Sequence, residues 1–281
     1  MVNKSGCNRD FRADVHIHSE YSHDSVCPVS QIYQAAVEKG MDLVCITDHC
    51  DIYADQDVNA LLEYRKQVVE GIARSAADCS GVEILTGVEL GGGFIAPEIA
   101  RAVVDSQAYD MVIGSVHGIM FRGERKSTSK FDFGSVDEAA MFEYWDGYMD
   151  ASVYIAEKLD VDVLAHLTYI LRYINGKYKK NVDWRIQEEK IRRVFRAIIA
   201  RNIALEINTS CVGSFYDEWL PTREIVDLYI EMGGNLFTLG SDAHKSEKIG
   251  IGFEAVKDYL RQKGISHLVY YKNRIPHRYS I

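Results

Sequence analysis

Histidine and carboxylate residues recur in this chain at the ends of short apolar segments that have the length of buried β-strands. Seven of the nine histidines lie at or shortly after such ends, together with two carboxylates. The residues concerned are His16, His18, His23, His49, Glu89, His117, His166, Asp242 and His244. Because imidazole and carboxylate groups both suit divalent metals, this repetition indicates metal ligands that converge from distant parts of the sequence.

The apolar segments alternate with stretches of helical periodicity. Strands are predicted over 13–18, 43–47, 82–85, 110–113, 161–165, 204–207 and 236–239, and 267–271 is an extra strand or edge segment. Helices are predicted over 30–39, 59–78, 97–104, 136–159, 184–201, 222–232 and 253–263. Such alternation favours a parallel sheet that right-handed crossovers close into a barrel, with its chemistry at the carboxyl ends of the strands. We expect one α/β domain over residues 1–281.

Charge and targeting signals narrow the partners and the compartment. The net charge of −9 argues against a broad nucleic-acid-binding surface. No run of about 18 apolar residues exists, so no membrane span is expected. The first residues, Met1 to Cys7, lack the apolar core of a secretory signal, which predicts a cytoplasmic protein. The charge pattern does not indicate an oligomeric state.

The six cysteines form no Cys-x-x-Cys pair, and we expect them to be reduced thiols. Cys50 directly follows His49, so a thiolate ligand is one interpretation of it. The other, more common interpretation of a free cysteine is a small buried hydrophobe.

Spacing supports the metal hypothesis. His16 and His18 are two residues apart, so on a strand their side chains point to the same face and can chelate one ion. Asp242 and His244 repeat that spacing after the last predicted strand. A lone histidine would more often be an ordinary core or surface residue, but nine such groups at six strand ends make that interpretation improbable for the set.

Three polar neighbours have two interpretations each. Asp14 and Asp48 either orient an imidazole or are solvated acids at strand ends. Asn208 either lines the site or stabilises a turn. The glycines at 91–93 are interpreted as a loop that lets the backbone pass close to the site, rather than as a phosphate-binding loop.

The motifs together resemble those of the PHP (polymerase and histidinol phosphatase) superfamily. The matching segments are His16-x-His18-Ser19, Thr47-Asp48-His49, Gly87-Val88-Glu89, Ser115-Val116-His117 and Ser241-Asp242-Ala243-His244. The resemblance implies a distorted (β/α)7 barrel that binds two or three Zn, Mn or Fe ions. Of three divalent ions, it assigns the first to His16, His18, Glu89 and Asp242. It assigns the second ion to Glu89, His117 and His166, and the third ion to His23, His49 and His244.

The same resemblance implies phosphoester hydrolysis by a metal-bridging hydroxide. No Gly-x4-Gly-Lys segment is present, so a nucleotide-binding phosphate loop is not supported. No Gly-x-Ser-x-Gly nucleophile motif is present either, so direct attack by a metal-bound hydroxide is favoured. Arg172, six residues after His166, is the candidate catalytic and phosphate-binding residue, because histidinol-phosphate phosphatases are similar there. The alternative is an ordinary surface arginine. The loop over 121–134 is either a lid or, more commonly for such loops, a flexible solvated segment.

His23, five residues after His18, and the aromatic helix with Tyr144, Trp145 and Tyr148 resemble histidinol-phosphate phosphatases in particular. Asp24 follows His23 where that subfamily often has glycine. The resemblance implies hydrolysis of L-histidinol phosphate, a step of histidine biosynthesis. The alternatives are a phosphatase for another small phosphomonoester, a nucleotide phosphodiesterase, or a protein tyrosine phosphatase. A catalytically silent metal-binding domain is the hypothesis from a different class.

Overall fold

Short parallel strands and crossover helices alternate along the chain, as the apolar pattern predicts. The computed structural model describes residues 10–77 and 79–281, so Cys7 and the last residue of the helix predicted over 59–78 lie outside it. The seven principal strands are β1 (Ala13–Ile17), β2 (Leu43–Ile46), β4 (Glu83–Gly91), β5 (Met111–Ser115), β8 (Val163–Leu164), β9 (Ala204–Asn208) and β10 (Phe237–Gly240). They pair in parallel in that order around one sheet.

Backbone hydrogen bonds between the first and last principal strands bring the sheet to near closure. The amide of Asp242 donates to the carbonyl of His16 at 2.8 Å, and the amide of His18 donates to the carbonyl of Ala243 at 3.0 Å. The buried Asp14 carboxylate accepts from the amides of Ser241 at 3.0 Å and Gly250 at 2.8 Å across the same seam. The predicted (β/α)7 barrel is confirmed.

Seven helices lie within four residues of the bounds that the periodicity predicts, whereas the short helix over 169–171 was not predicted. They are α1 (Val29–Glu38), α2 (Val58–Ala76), α3 (Pro97–Ser106), α4 (Glu138–Lys158), α5 (Tyr169–Leu171), α6 (Glu188–Arg201), α7 (Arg223–Glu231) and α8 (Phe253–Gln262). A π-helical turn (Arg172–Lys177) and two 3-10 turns (Trp184–Gln187 and Ser246–Lys248) complete the set. Asp137 caps α4 through a bond from the amide of Ala140 at 2.8 Å, which satisfies an otherwise free donor. None of these helices combines the length and the apolar character needed to cross a membrane.

Four strands were not predicted. The strand β3 (His49–Asp51) pairs with β4, which runs six residues past its predicted end at position 85. The segment over 121–134, interpreted from the sequence as a lid or a flexible loop, begins at the last residue of β6 (Gly118–Phe121) and contains its hairpin partner β7 (Glu124–Ser127). This hairpin packs on α4, where the Tyr144 hydroxyl donates to the carbonyl of Lys126 at 2.8 Å, so the flexible-loop interpretation is wrong for this part of the segment.

A second hairpin, β11 (His267–Lys272) and β12 (Ile275–Ser280), covers the amino ends of the barrel strands. The predicted extra strand over 267–271 is therefore confirmed, with a partner strand that was not predicted. At its turn, the Arg274 guanidinium bonds the carboxylate of Asp162, which also accepts from the amide of Val112 at 2.8 Å. The turn closes the end of the barrel opposite to the strand ends that carry the histidines.

Arg274→Ala is expected to lower the free energy of unfolding by about 2 kcal/mol, because it leaves the nearly buried Asp162 carboxylate without its cation. Urea denaturation monitored by circular dichroism measures this change. Arg278→Ala on the exposed face of β12 is the matched control and should change the value by less than about 0.5 kcal/mol. Equal effects of the two variants would show that the ion pair does not hold the hairpin.

Candidate metal centre

The Glu89 carboxylate lies fully buried at the mouth of the barrel and is the common neighbour of five imidazoles. Its Oε2 atom lies 2.7 Å from His49 Nδ1, 3.3 Å from His16 Nε2 and 3.5 Å from His18 Nε2. Its Oε1 atom lies 2.9 Å from His166 Nε2 and 3.0 Å from His117 Nε2. Ligands predicted from four separate stretches of sequence thus meet at one carboxylate.

Asp242 and Asp24 extend this cluster toward solvent. Asp242 Oδ1 lies 3.1 Å from His18 Nε2 and 3.6 Å from His244 Nδ1. Asp24 Oδ2 lies 3.1 Å from His244 Nε2 and 3.3 Å from His49 Nε2. Three groups have ligand atoms within 4.8 Å of one another: His16, His18 and Asp242; His49, Glu89 and His117; and His18, Asp24, His49 and His244.

His23 lies at the exposed rim, where its ring centroid is 5.0 Å from that of His49. It belongs to none of the three groups found in the described chain, whereas the adjacent Asp24 does. Sequence reasoning missed Asp24 because the resemblance directed attention to the histidine before it. An acidic residue next to a candidate ligand was the available signal.

The donor atoms fit divalent cations. His16 Nε2, His18 Nε2, His49 Nδ1 and Glu89 Oε2 are buried and make no hydrogen bond with any described residue, although they face one another at short distances. Buried nitrogen and oxygen atoms left in this state carry a large desolvation cost unless something else coordinates them. Imidazole and carboxylate ligands in this mixture are typical of Zn, Mn and Fe sites.

Burial and neighbouring charges set the protonation of these groups. Burial disfavours a charge on Glu89, but His117 and His49 outweigh it and hold the pKa of Glu89 well below its usual value. Burial, reinforced by His49, lowers the pKa of His18 to about 3. His18 is therefore neutral, as a metal ligand must be, whereas Glu89 outweighs burial and raises the pKa of His49 to about 9, so that a bound metal would have to displace the proton of His49.

Two of the predicted ligands have backbones in the left-handed region. His166 has φ 24° and Asp242 has φ 52°, conformations that cost energy for residues other than glycine and concentrate at functional sites. Gly91 leaves room for side chains of the cluster. A Cβ at this position would overlap the Asp51 carboxylate and lie 3.1 Å from His117 Nδ1. The predicted close passage of the glycine segment is confirmed at this residue.

Two carboxylates behind the imidazoles were missed by sequence reasoning. Glu206 Oε1 lies 2.6 Å from His16 Nδ1, and Asp51 Oδ1 lies 3.4 Å from His117 Nδ1. Glu206 is an acidic residue within an apolar strand, which is a signal that could have identified it. Asp51 follows His49 in a strand that the periodicity did not reveal.

Among the described residues, by contrast, no hydrogen bond or ion pair joins Asp14 or Asp48 to an imidazole ring, although Asp14 Oδ1 accepts from the backbone amide of His16 at 3.4 Å. Both are buried, so neither is the solvated acid of the alternative interpretation. Asp48 accepts from the amide and the hydroxyl of Ser19, each at 2.6 Å, and so stabilises the segment after β1. Asn208 satisfies both of its interpretations: its Nδ2 donates to Asp242 Oδ2 at 3.4 Å, and its Oδ1 accepts from the Ser210 amide at 3.0 Å.

A cleft of about 960 Å³ opens from the cluster to solvent. Arg172 lines it together with Tyr169 and Tyr173. Its guanidinium carbon lies 6.0 and 5.9 Å from the centroids of these rings and 5.8 Å from that of Phe215, and its Nε has no hydrogen-bond partner among the described residues. A cation held by aromatic rings with an unused buried donor suits an anionic ligand.

Cys50 is almost fully buried, and burial raises the pKa of its thiol to about 11. Cys50 belongs to none of the three candidate metal-binding groups among the described residues, so the geometry favours the small buried hydrophobe over the thiolate ligand. Cys27, Cys45 and Cys211 are likewise buried free thiols, as expected.

Comparison with known proteins identifies relatives along nearly the whole chain. The family model described as PHP domain matches residues 14–210. A probable histidinol-phosphatase of Thermotoga maritima is 25% identical over 91% of this chain and 94% of its own length. The histidinol-phosphatase of Lactococcus lactis is 27% identical over 92% of this chain and 93% of its own length.

A solved structure shares the fold. The crystal structure of histidinol phosphate phosphatase from Lactococcus lactis, complexed with Zn, L-histidinol and phosphate, has a TM-score of 0.72 at 22% identity. The match covers 95% of this chain and 98% of that one. A putative histidinol phosphatase from Listeria monocytogenes follows with a TM-score of 0.69 at 18% identity. These matches support the distorted barrel.

Cys50→Ala is expected to leave the bound metal content unchanged and to lower the free energy of unfolding by about 1 kcal/mol, because only a small apolar contact is lost. His49→Ala, at the neighbouring position, should lose metal because its imidazole belongs to two of the three groups. Metal analysis of both purified variants checks this. Loss of metal from Cys50→Ala would restore the thiolate interpretation.

Proposed function

Because this chain belongs to the PHP domain family, we propose that it is a metal-dependent phosphomonoesterase that hydrolyses L-histidinol phosphate to L-histidinol and phosphate. The observation that carries this proposal is the convergence of eight predicted ligands on one buried cluster at the mouth of the barrel. The relatives named histidinol-phosphatase, which align with about nine-tenths of the chain, support the choice of substrate.

Three divalent ions, zinc, manganese or iron, would share the cluster. His16, His18, Glu89 and Asp242 would hold the first, and Glu89, His117 and His166 the second. His49, His244 and His23 would hold the third, to which the geometry adds the Asp24 carboxylate. When bound, such ions neutralise phosphate charge and lower the pKa of a water molecule toward 7.

The chain's own residues supply orientation and charge. Each oxygen of Glu89 faces a different set of imidazoles, so this carboxylate can bridge two sites. Arg172 presents its guanidinium to the cleft and would donate hydrogen bonds to phosphate oxygens, which stabilises negative charge as it develops. Its aromatic neighbours limit the conformations of its side chain, so less entropy is lost when the phosphate binds.

Metal-loaded protein is expected to turn over histidinol phosphate with a higher kcat/KM than p-nitrophenyl phosphate, nucleotides or a phosphotyrosine peptide. Chelation should abolish turnover, and divalent metal should restore it. His16→Ala and Glu89→Ala should lose both metal and activity, because each removes a donor from the buried cluster. A preference for another ester would identify one of the alternative phosphatases. If the protein binds metal but hydrolyses none of these esters, the result would support the alternative hypothesis of a catalytically silent metal-binding domain.

Arg172→Ala is expected to raise KM and lower kcat/KM by about 10- to 100-fold, the loss that corresponds to one or two hydrogen bonds to a charged group. Metal content should stay intact because no predicted metal ligand is removed. Arg185→Ala is the matched control, since Arg185 pairs with Asp183 and Glu224 away from the cleft. Kinetics equal to those of the parent protein would show that another residue binds the phosphate.

A further inference from the structure

The strand β9 carries none of the predicted metal ligands, yet it lies between β8 and β10, which both lead to ligands. Its central residue, Glu206, is fully buried. Glu206 Oε1 lies 2.6 Å from His16 Nδ1, and Oε2 accepts from the backbone amide of His166 at 2.8 Å. Oε2 also accepts from Asn208 Nδ2 at 3.1 Å.

We propose that Glu206 is the positioning residue of the metal centre, and that metal affinity depends on its two oxygens acting as acceptors at the same time. This inference rests on the metal centre of the proposed function, but not on the identity of the substrate. Glu206 itself belongs to none of the three candidate metal-binding groups among the described residues. It acts through His16, His166 and Asn208.

The first oxygen selects the tautomer of His16. A carboxylate oxygen at 2.6 Å from Nδ1 accepts a hydrogen bond, so Nδ1 carries the proton and the lone pair is on Nε2. His16 Nε2 lies 3.3 Å from Glu89 and 3.8 Å from Asp242, and it has no hydrogen bond to any other described group. Carboxylate-to-imidazole bonds of this kind fix ring orientation and make the distal nitrogen a stronger ligand.

The second oxygen secures the ligands that come from the neighbouring strands. The bond from the His166 amide holds that residue at its unusual φ of 24°, and His166 Nε2 then reaches Glu89 Oε1 at 2.9 Å. Asn208 continues the connection, because its Nδ2 also contacts Asp242 Oδ2 at 3.4 Å. One carboxylate therefore links a ligand on β1 with ligands that follow β8 and β10.

The residues around the Glu206 side chain leave space for its carboxylate. A Cβ at Gly240 would overlap Glu206 Oε1 and lie 2.6 Å from the Cβ of His16, so only glycine leaves room for this pair. Within the described ranges, His16 is the single ion-pair partner of Glu206, and no lysine or arginine compensates the buried charge. A divalent ion on the opposite side of the His16 ring would supply that positive charge.

Glu206→Gln is the sharpest test, because glutamine keeps the shape but has only one acceptor oxygen. Its amide group must face either His16 Nδ1–H or the His166 amide, both of which are donors. We expect divalent metal to bind about 10- to 100-fold more weakly, as measured by titrating metal-free protein with Zn²⁺ or Mn²⁺ against a competing chelator. Glu206→Asp, which keeps both acceptors, should recover part of that affinity.

Thr238→Val is the matched control. Thr238 lies opposite Glu206 in the β9–β10 register and is equally buried, but its hydroxyl has no partner among the described residues. It should bind metal within about twofold of the parent protein. Thermal unfolding of each metal-free variant separates a positioning role, in which stability stays near that of the parent, from a general loss of folding.

Metal affinity of Glu206→Gln within twofold of the parent would overturn the proposal, and so would a loss of affinity that Thr238→Val reproduces. If Glu206→Gln does not fold, the comparison of Glu206→Asp with Thr238→Val decides. Failure of the parent protein to bind divalent metal would overturn this proposal and the proposed function together. Metal binding that depends on Glu206, without turnover of histidinol phosphate, would remove only the proposed function.

Discussion

The interaction on which this structure depends is the burial of one ionised carboxylate, Glu89, among five imidazoles. A carboxylate without solvent is costly unless positive charge surrounds it. In the protein alone, protons on His49 and His117 can supply that charge, because Glu89 outweighs the effect of burial and raises the pKa values of both imidazoles. Divalent ions held by the same donor atoms would take the place of these protons. The need to balance the buried charge of Glu89 accounts for the short distances around it and for the buried donor atoms that have no hydrogen bond.

The parallel arrangement of the barrel strands brings the residues of this cluster together. Parallel strands place their carboxyl ends on one rim, so residues from β1, β4 and β10 meet although they are far apart in the chain. The seam between β1 and β10 is held by the same short segments that carry His16, His18 and Asp242. The same backbone segments therefore close the barrel and carry part of the cluster, while the β11–β12 hairpin covers the opposite end of the barrel.

The local pattern predicted the seven strands, the long crossover helices and eight of the residues that converge. It could do so because apolar periodicity and the residue type at a strand end are both local properties. It did not reveal β3 or the β6–β7 hairpin, since a three-residue strand and a polar hairpin owe their structure to partners elsewhere. Asp24, Asp51 and Glu206 were missed for the same reason: their importance lies in which imidazole each one faces.

The amino-acid sequence by itself determined that this chain folds as an alternating α/β barrel with imidazoles and carboxylates at the ends of its strands. Those features follow from side-chain chemistry and from hydrophobic spacing along the chain. Only the tertiary structure decided which oxygen faces which nitrogen, that Asp24 and not His23 contacts His244, and that Glu206 stands behind His16. Such pairings depend on distances across the barrel, and these are set by strand order and closure rather than by position in the sequence.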